Sequence, residues 1–299
     1  MRKIKIIADS CADMTKEMLE EYDVDYVKMS VFRNGVESVA LTTWTEEEVH
    51  EFYEFMRNGG RVTTAQVSMG EFTEVFTKYI NEGYDIVYIG CSLKQSSSVN
   101  TGAVVAKKLM EENEGVRIEC VDSRNSSLGI AMLVMEAAKM VKDGKSVDEI
   151  VDYVVSNRKK VNQFVTVHSL TTLKRAGRVK GSAAFFGNLL GVKPIIISDA
   201  DGEQTPCKKV KGRQNSLNEI VSLAKSAIKN PQEQTVYVAH TDCIKEEVDL
   251  VVNMVKEQLG CKDVYVGFIG PIIGGSVGPD TMAIFVVGEE VTYRVGEVK

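Results

Sequence analysis

The sequence has few of the residues that hold metals or build disulfide frameworks. It contains six cysteines and three histidines in 299 residues, and no two cysteines form a CxxC pair. Scattered cysteines of this kind argue against a zinc ribbon or a disulfide scaffold, and they favour free, partly buried thiols in a reducing compartment. We therefore expect neither a bound metal nor a cofactor.

Positive charge and long hydrophobic runs are also scarce. The chain carries 36 Lys+Arg against 42 Asp+Glu, a net charge of −6. This balance argues against a general nucleic-acid binder, because phosphate neutralisation needs a surplus of clustered cations. No apolar run approaches the ~20 residues that cross a bilayer, and the run near the N-terminus is too short for a signal peptide. We expect a cytoplasmic protein without an integral membrane segment.

Common catalytic motifs are missing as well. The chain has no GxxxxGK[ST] phosphate loop, and none of its histidines stands in a recognisable nucleophile-activating motif. An enzymatic interpretation stays open nevertheless. A phosphotransferase or hydrolase could use the strand-to-helix junction Ser96 to Ser98 as an anion site, with Asp9 or Asp122 as base. His240, at the end of a predicted strand, is the histidine to test first under that interpretation.

The order of predicted elements indicates an α/β fold. Strands and helices alternate along the first half of the chain, which predicts a parallel sheet with helices on both faces. Ligands of such sheets gather at the carboxyl ends of the strands, where Asp9, Ser96 to Ser98 and Asp122 are expected. Val24 to Phe32 is predicted as one strand of this half.

The second half continues the α/β pattern with a hairpin turn at Asp199 to Gly202, so we expect a mixed sheet there. We place a domain boundary between a mainly parallel N-terminal domain, 1–160, and a C-terminal α/β domain, 161–299. Gly270 to Pro279 is predicted as a glycine-rich loop, in which backbone can approach a ligand.

The stretch Val167 to Ile197 combines a cationic turn with small and apolar residues, as a site for an amphiphile with an acidic head would. Its apolar side chains are candidates for lining the apolar part of such a ligand, although plain core packing explains them at least as well; they are Phe185, Phe186, Leu189, Leu190 and Ile195. Cations in and after the stretch are candidates for docking an acidic partner, although solvated surface charge explains each one singly; they are Arg175, Arg178, Lys211 and Arg213.

Six segments, in order along the chain, resemble motifs of the DegV family of bacterial fatty-acid-binding proteins. In the first half, DSCAD at 9–13 is similar to D-S-T-A-D, TAQVS at 64–68 to T-S-Q-P-S, QSSSVNT at 95–101 to L-S-G-T-Y-Q-S, and DSRNSSLG at 122–129 to D-S-x-x-x-S-x-G. In the second half, LTTLKRAGRVKG with the later KPIII resembles L-x-x-L-K-x-G-G-R-I and K-P-I, and KVKGR at 209–213 resembles K-V-R-T-R.

The resemblance implies a non-enzymatic carrier that buries a long-chain fatty acid such as palmitate in its C-terminal domain. The carboxylate would lie near the domain interface, and a partner fatty-acid kinase would phosphorylate it. Family hydroxyls that hold this head correspond to Thr64 and Ser96. A family histidine of G-T-H-T-G-P-G is replaced by Ser276 in GGSVGPD.

We therefore expect a set of hydroxyls and backbone amides to receive the carboxylate. The expected head-group residues are Thr64, Ser96, Ser98, Gly274, Gly275 and Ser276. A third hypothesis, a protein-interaction or transcription-associated module, rests only on the basic patches.

Overall fold

The computed structural model describes residues 2–168, 170–179 and 191–294 of the chain. The strands are β1 (Lys3–Asp9), β2 (Val24–Val27), β3 (Met29–Arg33), β4 (Val36–Ala40), β5 (Val62–Ala65), β6 (Tyr84–Gly90), β7 (Ile118–Asp122), β8 (Val161–Thr166), β9 (Val192–Ser198), β10 (Gln204–Lys211), β11 (Thr235–His240), β12 (Asp263–Phe268) and β13 (Met282–Val287). The α-helices are α1 (Lys16–Tyr22), α2 (Glu46–Arg57), α3 (Met69–Asn81), α4 (Ser98–Glu112), α5 (Leu128–Lys142), α6 (Val147–Asn157), α7 (Leu170–Ala176), α8 (Arg213–Ala227), α9 (Lys245–Leu259) and α10 (Pro271–Val277).

These strands form three sheets. A four-stranded parallel sheet has the order β2-β1-β6-β7, and a three-stranded antiparallel sheet has the order β4-β3-β5. A six-stranded mixed sheet has the order β10-β9-β8-β13-β11-β12. The expected α/β class, with a parallel sheet first and a mixed sheet second, is confirmed.

Strands up to Asp122 build the first two sheets and strands from Val161 onward build the third, so we retain residue 160 as the proposed boundary between an N-terminal and a C-terminal unit. No helix within the described ranges has the length and apolar character that crossing a membrane requires.

Side chains alternate between two cores across the six-stranded sheet, as the two-residue period of a strand dictates. Ile195 and Ile197 of β9 pack with Leu217 of α8 and Val251 of α9. The intervening Ile196 packs into the core of the N-terminal unit. One face of this sheet is therefore covered by helices and the other by the N-terminal unit, so the interface between the units is itself a core.

Two sequence expectations about local structure were wrong. Val24 to Phe32 is divided between β2, which pairs with β1, and β3, which belongs to the antiparallel sheet. Gly270 to Pro279 contains the helix α10, begun by Pro271, whose missing N–H costs nothing in the first turn. Glycines are poor helix formers, but helix α10 contains two of them because it packs closely against Tyr53 and Val62 of the N-terminal unit.

Helix α10 approaches the N-terminal unit too closely for side chains at two positions. A Cβ on Gly274 would overlap the Tyr53 hydroxyl of α2, and one on Gly275 would lie 2.7 Å from Val62 Cγ1 of β5. The Tyr53 hydroxyl also donates a hydrogen bond to the Ile269 carbonyl just before the helix. The paired glycines therefore fix how closely the two units meet.

Charged groups join the units beside this helix. Arg57 of α2 pairs with Asp242 after β11 at 2.7 Å and with Asp280 before β13 at 2.6 Å. The Arg57 side chain is 25% exposed. Partial burial lowers its pKa, but its hydrogen bonds to carboxylates outweigh this effect and raise the pKa above the ordinary value. These ion pairs fix the relative orientation of the two units more than they stabilise the fold, because the cost of desolvating the charges offsets much of their electrostatic attraction.

A carboxyl group is also buried at this interface. Asp13 Oδ2 lies 2.5 Å from the Ser127 hydroxyl, while Oδ1 faces the backbone of Gly270, where any side chain would clash with it. Burial raises the pKa of the Asp13 carboxyl to about 8. The group is therefore mostly protonated at neutral pH and adds no uncompensated charge to the interface.

We expect Gly274→Ala to destabilise the protein by about 1 to 3 kcal/mol, because the added methyl group overpacks the contact with Tyr53. Gly70 is the matched control, since it lies in helix α3 with nothing closer than 3.7 Å to an added Cβ. Gly70→Ala should be neutral or stabilise by up to about 1 kcal/mol. Urea unfolding monitored by circular dichroism measures both, and equal effects would contradict the packing account.

Asp13→Asn should alter the pH dependence of stability. Between about pH 4 and pH 8 the folded wild type keeps a proton that the unfolded chain has lost, so its free energy of unfolding falls as pH rises through this window. Asparagine removes this titration and should flatten the slope. Urea unfolding at both ends of the window tests this, with the exposed Asp152→Asn as control; an unchanged slope would show that Asp13 is ionised in the fold.

Candidate functional site

A cavity of about 330 Å³ lies between the two units, within the ~300–1,000 Å³ typical of small-molecule sites. We call it the main cavity because three of the expected head-group residues line it. The N-terminal unit contributes the start of β3, the end of β5, the segments that follow β1, β5 and β6, and the residues before α5. The C-terminal unit contributes the inner face of its sheet, helix α7 and helix α10. Residues from loops thus form most of one side of the cavity, and side chains of the sheet and two helices form the other.

Hydroxyls expected to hold a head group do meet at this cavity. Thr64 of β5, Ser276 of α10 and Ser96 after β6 all line it, although they come from three separate parts of the sequence. Gly275 brings α10 onto Thr64, whose Cγ2 lies 3.7 Å from the position of a Cβ on that glycine. Neither Thr64 nor Ser276 uses its hydroxyl in a hydrogen bond to a residue in the described ranges, so both can receive a ligand.

Other expected head-group donors are occupied by the fold. The buried Ser98 hydroxyl lies 2.9 Å from Ser96 Oγ and accepts the Val67 N–H at 3.2 Å, so it ties the 64–68 segment to the start of α4. The Gly274 N–H donates to the Gly270 carbonyl at 2.8 Å within α10. Gly274 and Gly275 therefore act through their missing side chains, and the expectation of free loop amides is corrected.

The apolar wall comes from the inner face of the six-stranded sheet. Val165, Ile196 and Phe285 line the cavity from β8, β9 and β13, and Ile272 lines it from α10. The expected tail-lining residue Ile195 faces the opposite core, because neighbouring strand residues point to opposite faces. The remaining tail candidates, Phe185, Phe186, Leu189 and Leu190, lie outside the described residues.

The four candidate docking cations differ in their surroundings. Exposed Arg178 lines the main cavity, and with Arg175 it also lines an adjoining cavity of about 120 Å³ that shares Thr64 and Ser276. Lys211 is exposed on β10.

The fourth cation, Arg213, is committed to an internal ion pair. Its side chain is 15% exposed and pairs with Glu247 at 2.6 Å, and these hydrogen bonds raise its pKa against the effect of burial. The charge of Arg213 is therefore paired with Glu247 within the protein, whereas the sequence analysis had assigned it to docking a partner.

Sequence reasoning missed a buried amide network beside the cavity. Gln163 of β8 accepts a hydrogen bond from Ser126 at 3.3 Å and donates one to Gln204 Oε1 of β10 at 2.6 Å. The Gln204 side-chain nitrogen has no partner in the part of the chain that the structure describes, and Gln204 lines the cavity. Glutamine within an apolar strand is the signal that could have marked this donor.

Groups proposed for catalysis do not assemble around the serine junction. The carboxylate of Asp9 receives the Cys11 and Cys91 backbone N–H groups and the Tyr88 hydroxyl, at 2.8–2.9 Å. Asp122 caps two backbone N–H groups, those of Leu93 and Arg124. Both carboxylates shape loops, and neither is hydrogen-bonded to Ser96 or Ser98.

His240 lies at a different cavity from these serines. It lines a groove of about 750 Å³ with Trp44 and Phe268, and burial lowers its pKa to about 4. Its Nδ1 accepts the Cys243 N–H at 3.2 Å. The described residues thus supply no base in hydrogen-bond contact with the serine junction.

One cluster has the residue types of a metal site. His50, Glu54 and Asp242 have side-chain atoms close together at the interface, but the Arg57 guanidinium already contacts both carboxylates at 2.7–2.8 Å. A cation in that position satisfies the carboxylates, so the cluster is an ion-pair network of the interface.

Comparisons with known proteins agree with this architecture. The family model described as "Uncharacterised protein, DegV family" matches residues 3–289. A DegV domain-containing protein of Clostridium perfringens is 35% identical over 289 residues, which cover 97% of this chain and 99% of the relative.

Solved structures share the fold at lower identity. A DegV family protein of Thermus thermophilus, described as fatty acid binding, has a TM-score of 0.85 at 23% identity, covering 97% of this chain and 100% of that one. DegV of Bacillus subtilis, described as a fatty acid binding protein, has a TM-score of 0.81 at 22% identity, covering 95% and 99%. The match over nearly the whole length shows that this chain belongs to the DegV family.

Proposed function

We propose that the protein binds a long-chain fatty acid in the cavity between its units and presents the carboxylate to a partner fatty-acid kinase. The observation that carries this proposal is the composition of the cavity. The hydroxyls of Thr64 and Ser276, which have no hydrogen-bond partner among the described residues, lie across from the apolar sheet face of Val165, Ile196 and Phe285. An amphiphile with an acidic head matches both halves of such a site. The fatty acid binding of the Thermus thermophilus and Bacillus subtilis proteins supports the same ligand class.

The head group requires donors, because an ionised carboxylate loses its hydration on entering the cavity. Thr64, Ser276 and Ser96 offer hydroxyl hydrogens, and hydrogen bonds to a charged group are worth about 1.5 to 3 kcal/mol each. Arg178 adds a guanidinium at the same end, since it lines both the main and the adjoining cavity with Thr64 and Ser276. We therefore extend its proposed role from partner docking to pairing with the carboxylate.

The tail supplies most of the binding free energy in this proposal. Each buried CH₂ contributes about 0.8 kcal/mol, so a sixteen-carbon chain gains on the order of 10 kcal/mol before the costs of binding. Strand side chains such as Ile196 and Phe285, at 1–2% exposure, form a fixed apolar surface for the chain. Such a surface recognises length and shape but offers no chemistry, which fits a carrier better than an enzyme.

Presentation to a kinase requires an accessible cationic rim. Arg175 is exposed at the adjoining cavity, and Lys211 is exposed on β10, so both can meet an acidic partner or a phosphoryl group. We propose that the encounter takes place in the cytoplasm, where ATP is present. Rim charges of this kind act mainly on the association rate.

Protein purified without added lipid should release a stoichiometric fatty acid on extraction with organic solvent, identified by mass spectrometry. Thr64→Val and Ser276→Ala should each weaken palmitate binding about tenfold or more, because each removes a donor to a charged group and keeps the shape of the site. Thr73→Val, at an exposed position of α3, is the control and should bind as wild type. Absence of both endogenous lipid and palmitate binding would refute the carrier function.

Arg175→Gln should leave palmitate affinity within about twofold of wild type while lowering the rate of kinase-dependent acyl phosphate formation, since a rim charge steers the partner. The effect should shrink as salt is added. Lys107→Gln makes the same charge change on the exposed face of α4 and is the matched control. If both variants slow the kinase equally, the docking surface lies elsewhere.

A further inference from the structure

Two thiols line the cavity in addition to the proposed head-group residues. Cys11 follows β1 and Cys91 follows β6, each is only 1% exposed, and both belong to the cavity wall together with Met29. The Cys11 thiol contacts the Met29 sulfur at 3.4 Å. The proposed function assigns these sulfur atoms no role.

The other four cysteines lie in different surroundings. Cys120, Cys207 and Cys261 are partly exposed, and buried Cys243 contacts Arg213. None of these four lines the cavity. Cys11 and Cys91 are thus set apart by position as well as by burial.

The Asp9 carboxylate holds the two cysteines side by side. One carboxylate oxygen accepts the Cys11 N–H and the other accepts the Cys91 N–H, both at 2.9 Å. The two residues follow neighbouring parallel strands that are paired through Ile7 and Tyr88. Because one carboxylate accepts both N–H groups, the backbones of Cys11 and Cys91 lie next to each other just beyond the paired strands, as a disulfide between them requires.

The thiols themselves also interact. The neighbouring Cys91 thiol and burial together raise the pKa of the Cys11 thiol. The Cys11 thiol lowers the pKa of Cys91, but burial and the nearby carboxylates of Asp9, Asp122 and Asp13 together outweigh it, so the pKa of Cys91 is also raised. Both groups are therefore protonated at neutral pH and form a close, reduced pair.

We propose that Cys11 and Cys91 form an oxidisable dithiol site, which low-molecular-weight disulfides convert into an intramolecular disulfide when the cavity is empty and which a bound ligand protects. Formation of the disulfide depends only on the described geometry. The identity of the protecting ligand, a fatty acid, rests on the proposed function.

The reaction balances as a thiol–disulfide exchange. One cysteine thiolate attacks a sulfur of the oxidant, forming a mixed disulfide and releasing one small thiolate. The second cysteine then attacks the protein sulfur of that mixed disulfide and releases the second small thiolate. Two protons pass from the protein thiols to the released thiolates, and the oxidant gains the two electrons that the cysteines lose.

A bound fatty acid opposes this reaction in two ways. Its chain occupies the space through which an oxidant reaches Cys11 and Cys91, and its negative charge disfavours the reacting thiolate. Coupling between two events in one site is reciprocal, so oxidation should change fatty-acid affinity by the same factor by which the ligand shifts the disulfide equilibrium. The site would then report on whether the cavity is filled.

The test uses delipidated full-length protein and hydroxyethyl disulfide as the oxidant. After quenching and alkylation, peptide mass spectrometry should find a Cys11–Cys91 cross-link, with a rate that rises about tenfold per pH unit near neutrality as the thiolate fraction grows. Cys91→Ser should stop at the mixed disulfide on Cys11, and Cys120→Ser is the matched control that should cross-link as wild type. Mixed disulfides on the partly exposed cysteines without any Cys11–Cys91 cross-link would overturn the proposal.

A second arm adds palmitate and checks its binding by titration in the same sample. Bound palmitate should slow cross-linking by about tenfold or more, as expected for loss of access and a raised thiol pKa. Equal rates with palmitate bound would overturn ligand protection. If palmitate does not bind at all, the proposed carrier function fails, while a cross-link in the ligand-free protein still upholds the dithiol site.

Discussion

The close packing of helix α10 against the N-terminal unit is the constraint on which the functional region depends. Gly274 and Gly275 have no side chains, so the helix reaches Tyr53 of α2 and Val62 of β5. That approach places Ser276 at the cavity beside Thr64. A larger residue at either glycine would separate the units and move apart the Thr64 and Ser276 hydroxyls that are proposed to hold the head group.

Residues that look like ligand groups in the sequence often serve the framework. The carboxylate of Asp9 satisfies the backbone N–H groups of Cys11 and Cys91, and the Ser98 hydroxyl satisfies that of Val67. Buried backbone donors must find acceptors, and short polar side chains at strand ends supply them locally. Thr64 and Ser276 have no such internal partner within the part of the chain that the structure describes, so their hydroxyls are the ones proposed to act on a ligand.

Sequence patterns predicted the α/β alternation, the parallel sheet of the first half and the mixed sheet of the second. These predictions failed where one local sequence pattern is compatible with two different structures. The glycines after Ile269 indicated a loop, but they lie in helix α10 because the partner surface demands close approach. Ile195 indicated a cavity wall, but its neighbour Ile196 has that place, since the face of a buried strand is set by its sheet and not by its own apolar run.

The sequence by itself determined the α/β class, the family and the hydroxyl-bearing segments at 64–68 and 95–101, because periodicity and short motifs are local properties of a chain. Tertiary structure decided which members of those segments meet, which are consumed by internal hydrogen bonds, and that Arg213 pairs with Glu247 while Arg178 reaches the cavity. It also brought Cys11 and Cys91 together across 80 residues, through strand pairing and one shared carboxylate. Such contacts depend on how segments far apart in the sequence pack against each other, and a local sequence pattern does not indicate which segments will meet.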